Sequence, residues 1–215
     1  MSTITRGTTN IAAILALVAG AVGCVNFTKE YPERSYYSIE ARRPGERLAS
    51  TSNAVLAVRE FQTPPAFGGT QLVYRRGENQ FESDFYNQLF QPAGAMIANE
   101  TRDWLAESGL FLHVVPSGSI VEPGFVLEGN VKALYGDFRN AAEPKAVLDV
   151  QIFLLRNDDA GARVVHRGDY LEQVPIPEPT AAALVQGWHQ GLDAALQKLE
   201  AELRNVDLGV GKSRP

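Results

Sequence analysis

Three consecutive segments between Phe125 and Val174 limit the possible folds most strongly. In the first segment, Phe125, Leu127, Val131, Ala133 and Tyr135 are predicted on one face, and Glu128, Asn130 and Lys132 on the other. Residues 146–154 alternate in the same way, and residues 164–174 form a third segment of this kind. Alternation with a period of two indicates half-buried strands, and turn-forming residues separate these segments. The sequence therefore predicts an antiparallel meander with one face against a core.

Two stretches with helical periodicity are predicted to cover the sheet. The first runs from about Pro92 to Ser108 and ends at Gly109, and the second runs from its N-cap Thr180 to about Arg204. Their apolar stripes comprise Ala93, Met96, Ile97, Thr101, Trp104 and Leu105 in the first helix and Leu184, Trp188, Leu192, Ala195, Leu196, Leu199 and Leu203 in the second. The polar face of the second helix is predicted at Gln186, Gln190, Asp193, Gln197 and Glu200. We interpret both stripes as core rather than as partner-binding faces.

Shorter strands complete the predicted sheet. They are expected at residues 36–39, 55–61, 71–75, 81–86 and 111–115, each rich in β-branched or aromatic residues. The expected fold class is α/β, bordering α+β, with a mixed, largely antiparallel sheet and two main helices packed on it.

The N-terminus has the pattern of an export signal. A polar start carrying Arg6 precedes the apolar run Ile11 to Val22, which is shorter than the roughly 20 residues that cross a bilayer. Ala21, Val22 and Gly23 supply small residues beside a cleavage point, and Cys24 is the one cysteine of the chain. The motif Ala21-Val22-Gly23-Cys24 resembles the bacterial lipobox. The alternative is a signal anchor in which Cys24 is a small buried side chain.

The lipobox resemblance implies cleavage between Gly23 and Cys24, a diacylglycerol on the Cys24 thiol and an acyl chain such as palmitate on its amine. More than one acyl chain anchors a protein stably. Val25 after the cysteine, by resemblance to the enterobacterial sorting rule, implies the outer membrane with the domain facing the periplasm. We therefore predict a signal peptide at residues 1–23, a lipidated tether at 24–35, one domain at 36–206 and a disordered tail at 207–215.

Charge and motifs argue against several functions. The formal net charge is −5, and no cluster of lysine and arginine appears, which speaks against nucleic-acid binding. The tail segment at residues 209–213 looks like a phosphate-binding loop, but Val206 stands where that motif needs glycine. The spacing of the three histidines, His113, His166 and His189, is not that of metal ligands. The acidic cluster of Glu78, Glu82 and Asp84 is expected to be a solvated face. No catalytic constellation is present in the sequence, and we expect no enzyme.

A series of short motifs resembles the ABC-type transport auxiliary lipoproteins, the family of the Pqi-pathway outer-membrane lipoprotein. The motifs, in the family's order, are Tyr36-Tyr37-Ser38-Ile39, Pro64-Pro65, Leu72-Val73-Tyr74-Arg75, Phe85-Tyr86, Pro92 and Glu107-Ser108-Gly109-Leu110-Phe111. The resemblance implies an anticodon-binding-domain-like fold and a non-catalytic role in phospholipid transport between membranes. The implied partners are a mammalian-cell-entry (MCE) domain protein with its ABC permease and ATPase, and self-association is possible.

Residues 63–69 and 74–82 are the predicted contact regions for such a partner. Within them, Tyr74, Arg75, Arg76 and Phe81 are the candidate contact residues, because exposed loops with dense aromatic and arginine side chains favour binding. Another hypothesis is a lipid carrier whose cavity is lined by Tyr36, Tyr37, Phe81, Phe85 and Tyr86, although ordinary sheet core explains such aromatics too. An exported enzyme and a general envelope-assembly scaffold are further alternatives.

Overall fold

A computed structural model describes residues 33–50, 52–159 and 161–209. The predicted signal peptide, Cys24, nearly all of the tether and residues 210–215 of the tail lie outside the described residues. Over the described part the chain forms eight strands and two helices. These are β1 (Ser35–Tyr37), β2 (Val55–Val58), β3 (Gln71–Arg75), β4 (Phe81–Leu89), α1 (Ala93–Glu107), β5 (His113–Pro116), β6 (Phe125–Asp137), β7 (Lys145–Asp158), β8 (Gly161–Pro175) and α2 (Ala181–Leu203).

The predicted meander is present. Strand β7 pairs antiparallel with β6 on one side and with β8 on the other. The predicted facing of Ala133 and Tyr135 is wrong, however. A register shift between Val131 and Ala133 leaves Lys132 as an extra residue, which is a β-bulge. Beyond it Leu134 is buried, whereas Ala133 and Tyr135 lie on the outer face of the sheet and are partly buried.

The sheet branches from β6. The first part of β6 pairs in parallel with β2, and β2 pairs in parallel with β5. The last part of β6 pairs in parallel with β3, which continues through β4 to β1 at one end of the sheet. Parallel pairs therefore join the branches, and the long antiparallel pairs form the meander. The observed class is the predicted one, a mixed α/β sheet with two helices packed on it.

Both helices bury the predicted stripes. Every residue of the two stripes is buried, and Trp188 is 1% exposed with its indole Nε1 donating to the Val147 carbonyl oxygen at 3.1 Å. The Thr180 hydroxyl accepts a hydrogen bond from the Ala183 amide, so the predicted N-cap is confirmed. Gly109 ends the first helix region with a φ of 68°, and a Cβ there would lie 2.7 Å from the Ala49 carbonyl oxygen.

Residues 38–50, which we call the strap, lie across the two helices. The Ala41 amide donates to Glu100 on α1 at 2.8 Å, and the Arg42 amide donates to Asp193 on α2 at 2.7 Å. The Leu48 amide of the strap donates to the Glu107 carbonyl oxygen at the carboxyl end of α1. The strap therefore has no regular secondary structure but many fixed contacts.

The polar face predicted for α2 is wrong at Glu200, because this residue is buried, with 8% of its surface exposed. Its carboxylate accepts two hydrogen bonds from the Arg43 guanidinium, each 3.0 Å long, and one of 2.8 Å from the Trp104 indole. Arg204 also contacts it from the next turn of the helix. We call this arrangement of Arg43, Trp104, Glu200 and Arg204 the latch, because it joins the strap to both helices.

No helix among the described residues is long and apolar enough to cross a membrane.

Candidate functional site

The two predicted contact regions meet on the outer face of the sheet. Phe67 of the first region stacks on Tyr135 of β6, with ring centroids 6.0 Å apart, and meets Phe81 of the second region edge-on at 6.3 Å. Phe81 and Tyr135 are themselves edge-on at 5.6 Å. We call these three residues the aromatic triad. Tyr135 was missed as a member because the β-bulge that turns it outward leaves no signal in the sequence.

A short hairpin positions Phe81 and Arg75. Strands β3 and β4 pair antiparallel with Arg75 opposite Phe81, and the Arg76 amide closes the turn by donating to the Gln80 carbonyl oxygen. The Arg75 guanidinium carbon lies 5.7 Å from the Phe81 ring centroid, within the range of a cation–π contact. Phe81 remains 49% exposed, so solvent reaches an aromatic ring that has the Arg75 guanidinium beside it.

Charged side chains surround the hairpin. Glu78 lies between Arg75 and Arg139, and Arg139 also pairs with Asp137 at 2.7 Å. The Arg139 guanidinium, by its hydrogen bond, holds the pKa of Asp137 below the usual range despite some burial. Arg76 pairs with Glu82 at 3.0 Å and lies over the rings of Tyr74 and Phe138. Two members of the predicted acidic cluster, Glu78 and Glu82, are thus held in local ion pairs.

Tyr74 has a different place from the one expected of a contact residue. It is 6% exposed, stacks on Phe138 at 5.1 Å between centroids, and donates its hydroxyl to Asp84 at 2.7 Å. Burial, and then the bond to Asp84, raise the pKa of the Tyr74 hydroxyl well above its ordinary value. Tyr74 therefore supports the hairpin from inside and offers no surface for a direct contact.

Asp84 organises an irregular stretch in the middle of β4. Its carboxylate accepts from the Tyr86 amide at 2.8 Å, the Asn87 amide at 3.0 Å, the Asn87 side chain at 2.8 Å and the Tyr74 hydroxyl. Burial raises the pKa of Asp84, but these hydrogen bonds together lower it below its usual value. The register with β3 is shifted in this stretch, and Phe85 and Tyr86 project from the sheet as a result.

Replacing Asp84 should destabilise the domain. In Asp84→Ala we expect the free energy of unfolding to fall by about 1–3 kcal/mol, because the buried Tyr74 hydroxyl and two amides lose their acceptor. Urea unfolding followed by circular dichroism measures the change, and Ser83→Ala on the same strand is the matched control. A loss no larger than that of the control would show that the hydrogen bonds contribute nothing to stability.

The three histidines occupy separate places in the fold. His166 lies 3.2 Å from the Glu202 carboxylate, and His189 lies 3.0 Å from the Ser38 carbonyl oxygen. His113 is exposed at the start of β5. Among the residues that the structure describes, no group of three or more potential ligands could hold a metal ion.

Two clefts bear on the carrier hypothesis. One of about 440 Å³ lies between the strap and α2, and most of its lining is polar. Another of about 420 Å³, beside Phe153 on the outer face of the meander, is lined mainly by charged and amide side chains. Tyr36 and Tyr37 line the first cleft, whereas Phe81, Phe85 and Tyr86 line neither. In the part of the chain that the structure describes, the five aromatic residues of the carrier hypothesis therefore do not come together around either cleft.

Comparison with known proteins gives a fold. No family model matches the chain, and no curated protein matches it. A Xanthomonas campestris protein of the DUF330 family superposes with a TM-score of 0.68 at 18% identity, covering 77% of this chain and 92% of that one. A second solved structure, of an uncharacterised protein, has a TM-score of 0.61 at 16% identity, with 80% and 99% of the two chains covered. A proposed lipoprotein of Caulobacter crescentus is more distant. Its TM-score is 0.37 at 17% identity, and the match covers 67% of this chain and 87% of that one.

Proposed function

We propose that the chain is an outer-membrane lipoprotein, anchored through acyl chains on Cys24, whose domain docks the periplasmic end of an MCE transport assembly. The aromatic triad is the observation that carries this proposal. Two segments expected from the sequence to contact a partner meet in one cluster, in which Phe81 is exposed and Phe67 and Tyr135 are partly buried. The chain separates both segments from Tyr135 by more than fifty positions.

The chemistry of the triad suits protein recognition. Exposed aromatic side chains next to arginine are the residue types that contribute most binding energy in protein interfaces. The hairpin holds Phe81 in place through its register with Arg75, so little conformational entropy is lost on binding. A lipid tether would restrict the search for the partner to one membrane and raise the effective concentration.

The carrier hypothesis remains the second candidate function. A carrier needs an apolar-lined space of several hundred cubic ångströms. Both clefts reach this size, but the first has a largely polar lining and the second is lined by polar and apolar surface in similar amounts. Neither is the apolar space that a carrier needs, so docking is the better supported of the two.

Affinity capture of the lipidated protein from envelope membranes tests the proposal. Mass spectrometry should identify an MCE protein and its ATPase among the captured proteins, and Cys24→Ala should abolish their recovery by removing the anchor. In Phe81→Glu we expect recovery to fall about tenfold or more, as for loss of an interface hot spot. Leu171→Glu is the matched control, since Leu171 is an exposed apolar residue on β8 and is 54% exposed.

The outcomes separate the candidate functions. Recovery of the MCE protein that is insensitive to Phe81→Glu would exclude the triad as the docking surface. Recovery of bound lipid without any MCE protein would favour the carrier.

A further inference from the structure

Four exposed aromatic side chains lie along the edge of the sheet formed by β1 and β4. Phe85 is 58% exposed, Tyr86 41%, Tyr36 56% and Phe90 73%. We call these residues the aromatic edge. They are separate from the aromatic triad, and the docking proposal makes no use of them.

The local structure presents the aromatic edge outward. The Asp84 hydrogen bonds described above shape the irregular stretch that carries Phe85 and Tyr86, whose rings meet edge-on with centroids 5.3 Å apart. At the other end of the edge, Tyr36 lies opposite Gln88, and the Phe90 amide donates to the Tyr37 carbonyl oxygen at 2.8 Å. Ordered backbone therefore holds large apolar side chains in the solvent, where each exposed ring is unfavourable.

The edge is also the place where the membrane tether would join the domain. Strand β1 begins at Ser35, and the guanidinium carbon of Arg34 lies 4.3 Å from the centroid of the Phe85 ring. From Cys24 to Arg34, a fully extended chain reaches at most about 35 Å. The lipid anchor and the aromatic edge are thus joined by a short segment.

We propose that the aromatic edge contacts the phospholipid headgroup region of the membrane that holds the anchor. The proposal rests on lipidation of Cys24, which is part of the proposed function. Aromatic rings prefer the membrane–water interface, and tyrosine suits it especially because its ring is apolar and its hydroxyl polar. Arg34 lies at the same edge, where its charge can meet lipid phosphates.

The contact would give the domain a fixed orientation. A tether alone lets a domain turn freely, whereas a tether and a second contact close to it restrict rotation about the anchor. The chain has a formal net charge of −5, so acidic parts of its surface are repelled by anionic lipid headgroups. Uncharged aromatic rings meet no such repulsion.

Depth-dependent fluorescence quenching tests this contact. The lipidated protein is reconstituted into vesicles of phosphatidylethanolamine and phosphatidylglycerol, with and without brominated acyl chains. Phe85→Trp and Phe90→Trp place reporters on the aromatic edge. Leu171→Trp is the matched control, since Leu171 is 54% exposed, close to the 58% of Phe85, but lies on β8, at a different edge of the branched sheet. The native Trp104 and Trp188 are 3% and 1% exposed and give a constant background.

On both kinds of vesicle, we expect the tryptophan emission of the two edge reporters to shift to shorter wavelength. On brominated vesicles we also expect this emission to be quenched, and we expect neither change for the control. Equal quenching at all three positions, or none at positions 85 and 90, would overturn the contact even if the anchor is present. The intact mass of the protein reports the anchor independently. A mass without acyl chains would overturn the proposed anchor, and the contact with it.

Discussion

Glu200→Gln should lower the free energy of unfolding by about 3–5 kcal/mol, the usual effect of removing one charge from a buried ion pair. Arg43 would keep its guanidinium, with 8% of the side chain exposed, but lose its charged partner. The substitution keeps the shape of the side chain, so the loss reports charge and hydrogen bonding rather than a cavity. Urea unfolding followed by circular dichroism measures it.

Glu128→Gln is the matched control for the latch. Glu128 pairs with Arg59, but the two side chains are 38% and 58% exposed. Exposed ion pairs contribute about 0–1 kcal/mol, so this variant should unfold almost like the native protein. Equal losses in both variants would mean that burial does not strengthen the latch.

Acid should weaken the latch. Burial raises the pKa of Glu200, but hydrogen bonds from Arg43, Arg204 and Trp104 outweigh it and lower the pKa below the ordinary value. A carboxylate with a lowered folded-state pKa stabilises the protein above its unfolded pKa, about 4.3 for glutamate, and this stabilisation disappears as the pH falls through the folded value. The difference between the native protein and Glu200→Gln should therefore be largest above about pH 5 and shrink below about pH 4.

Trp188→Ala should lower the free energy of unfolding by a similar amount, about 3–5 kcal/mol. The indole is almost fully buried between α2 and the meander, and its Nε1 donates to the Val147 carbonyl oxygen. Close approach of the helix is visible at the neighbouring Gly187, where a Cβ would lie 2.5 Å from the Ala146 Cβ. With so little space between helix and strand, a cavity at position 188 could collapse only in part.

A series at position 188 separates packing from hydrogen bonding. Trp188→Phe keeps an aromatic ring but removes the donor, and we expect it to lose about 1–3 kcal/mol. Leu171→Ala, at an exposed site, should stay within about 0.5 kcal/mol of the native protein. Urea unfolding again gives the values, and a loss in Trp188→Ala as small as that in Leu171→Ala would mean that the helix does not depend on the indole.

The sequence predicted the elements well wherever a single periodicity covers the whole element. The stripes of both helices and the meander follow from spacing, because each residue's burial is set by its own helix or strand. The shorter strands were predicted with shifted limits. Strand β2 stops at Val58 rather than Phe61, although Arg59 and Gln62 continue to hydrogen-bond along β6.

Features that join distant parts of the chain were not predictable in the same way. The β-bulge at Lys132 reverses the facing of Tyr135, and no residue type marks it. Glu200 continues the polar side of α2 in sequence, but Arg43 of the strap and Trp104 of α1 contact its carboxylate and bury it. Likewise the sequence predicts Asp84 as one more solvated carboxylate, since its donor Tyr74 becomes a neighbour only in the folded hairpin.

The latch also sets an order of events for the growing chain. Arg43 and Glu200 are 157 positions apart, and Trp104 and Glu200 are 96 apart. Such distant partners close a loop at a large entropic penalty, and they can meet only after nearly the whole chain has been synthesised. The meander, whose strands follow one another directly, can form earlier. Until α2 arrives, the strap lacks its contacts with Asp193 and Glu200 and can be held only by its contacts with α1, such as that of the Ala41 amide with Glu100.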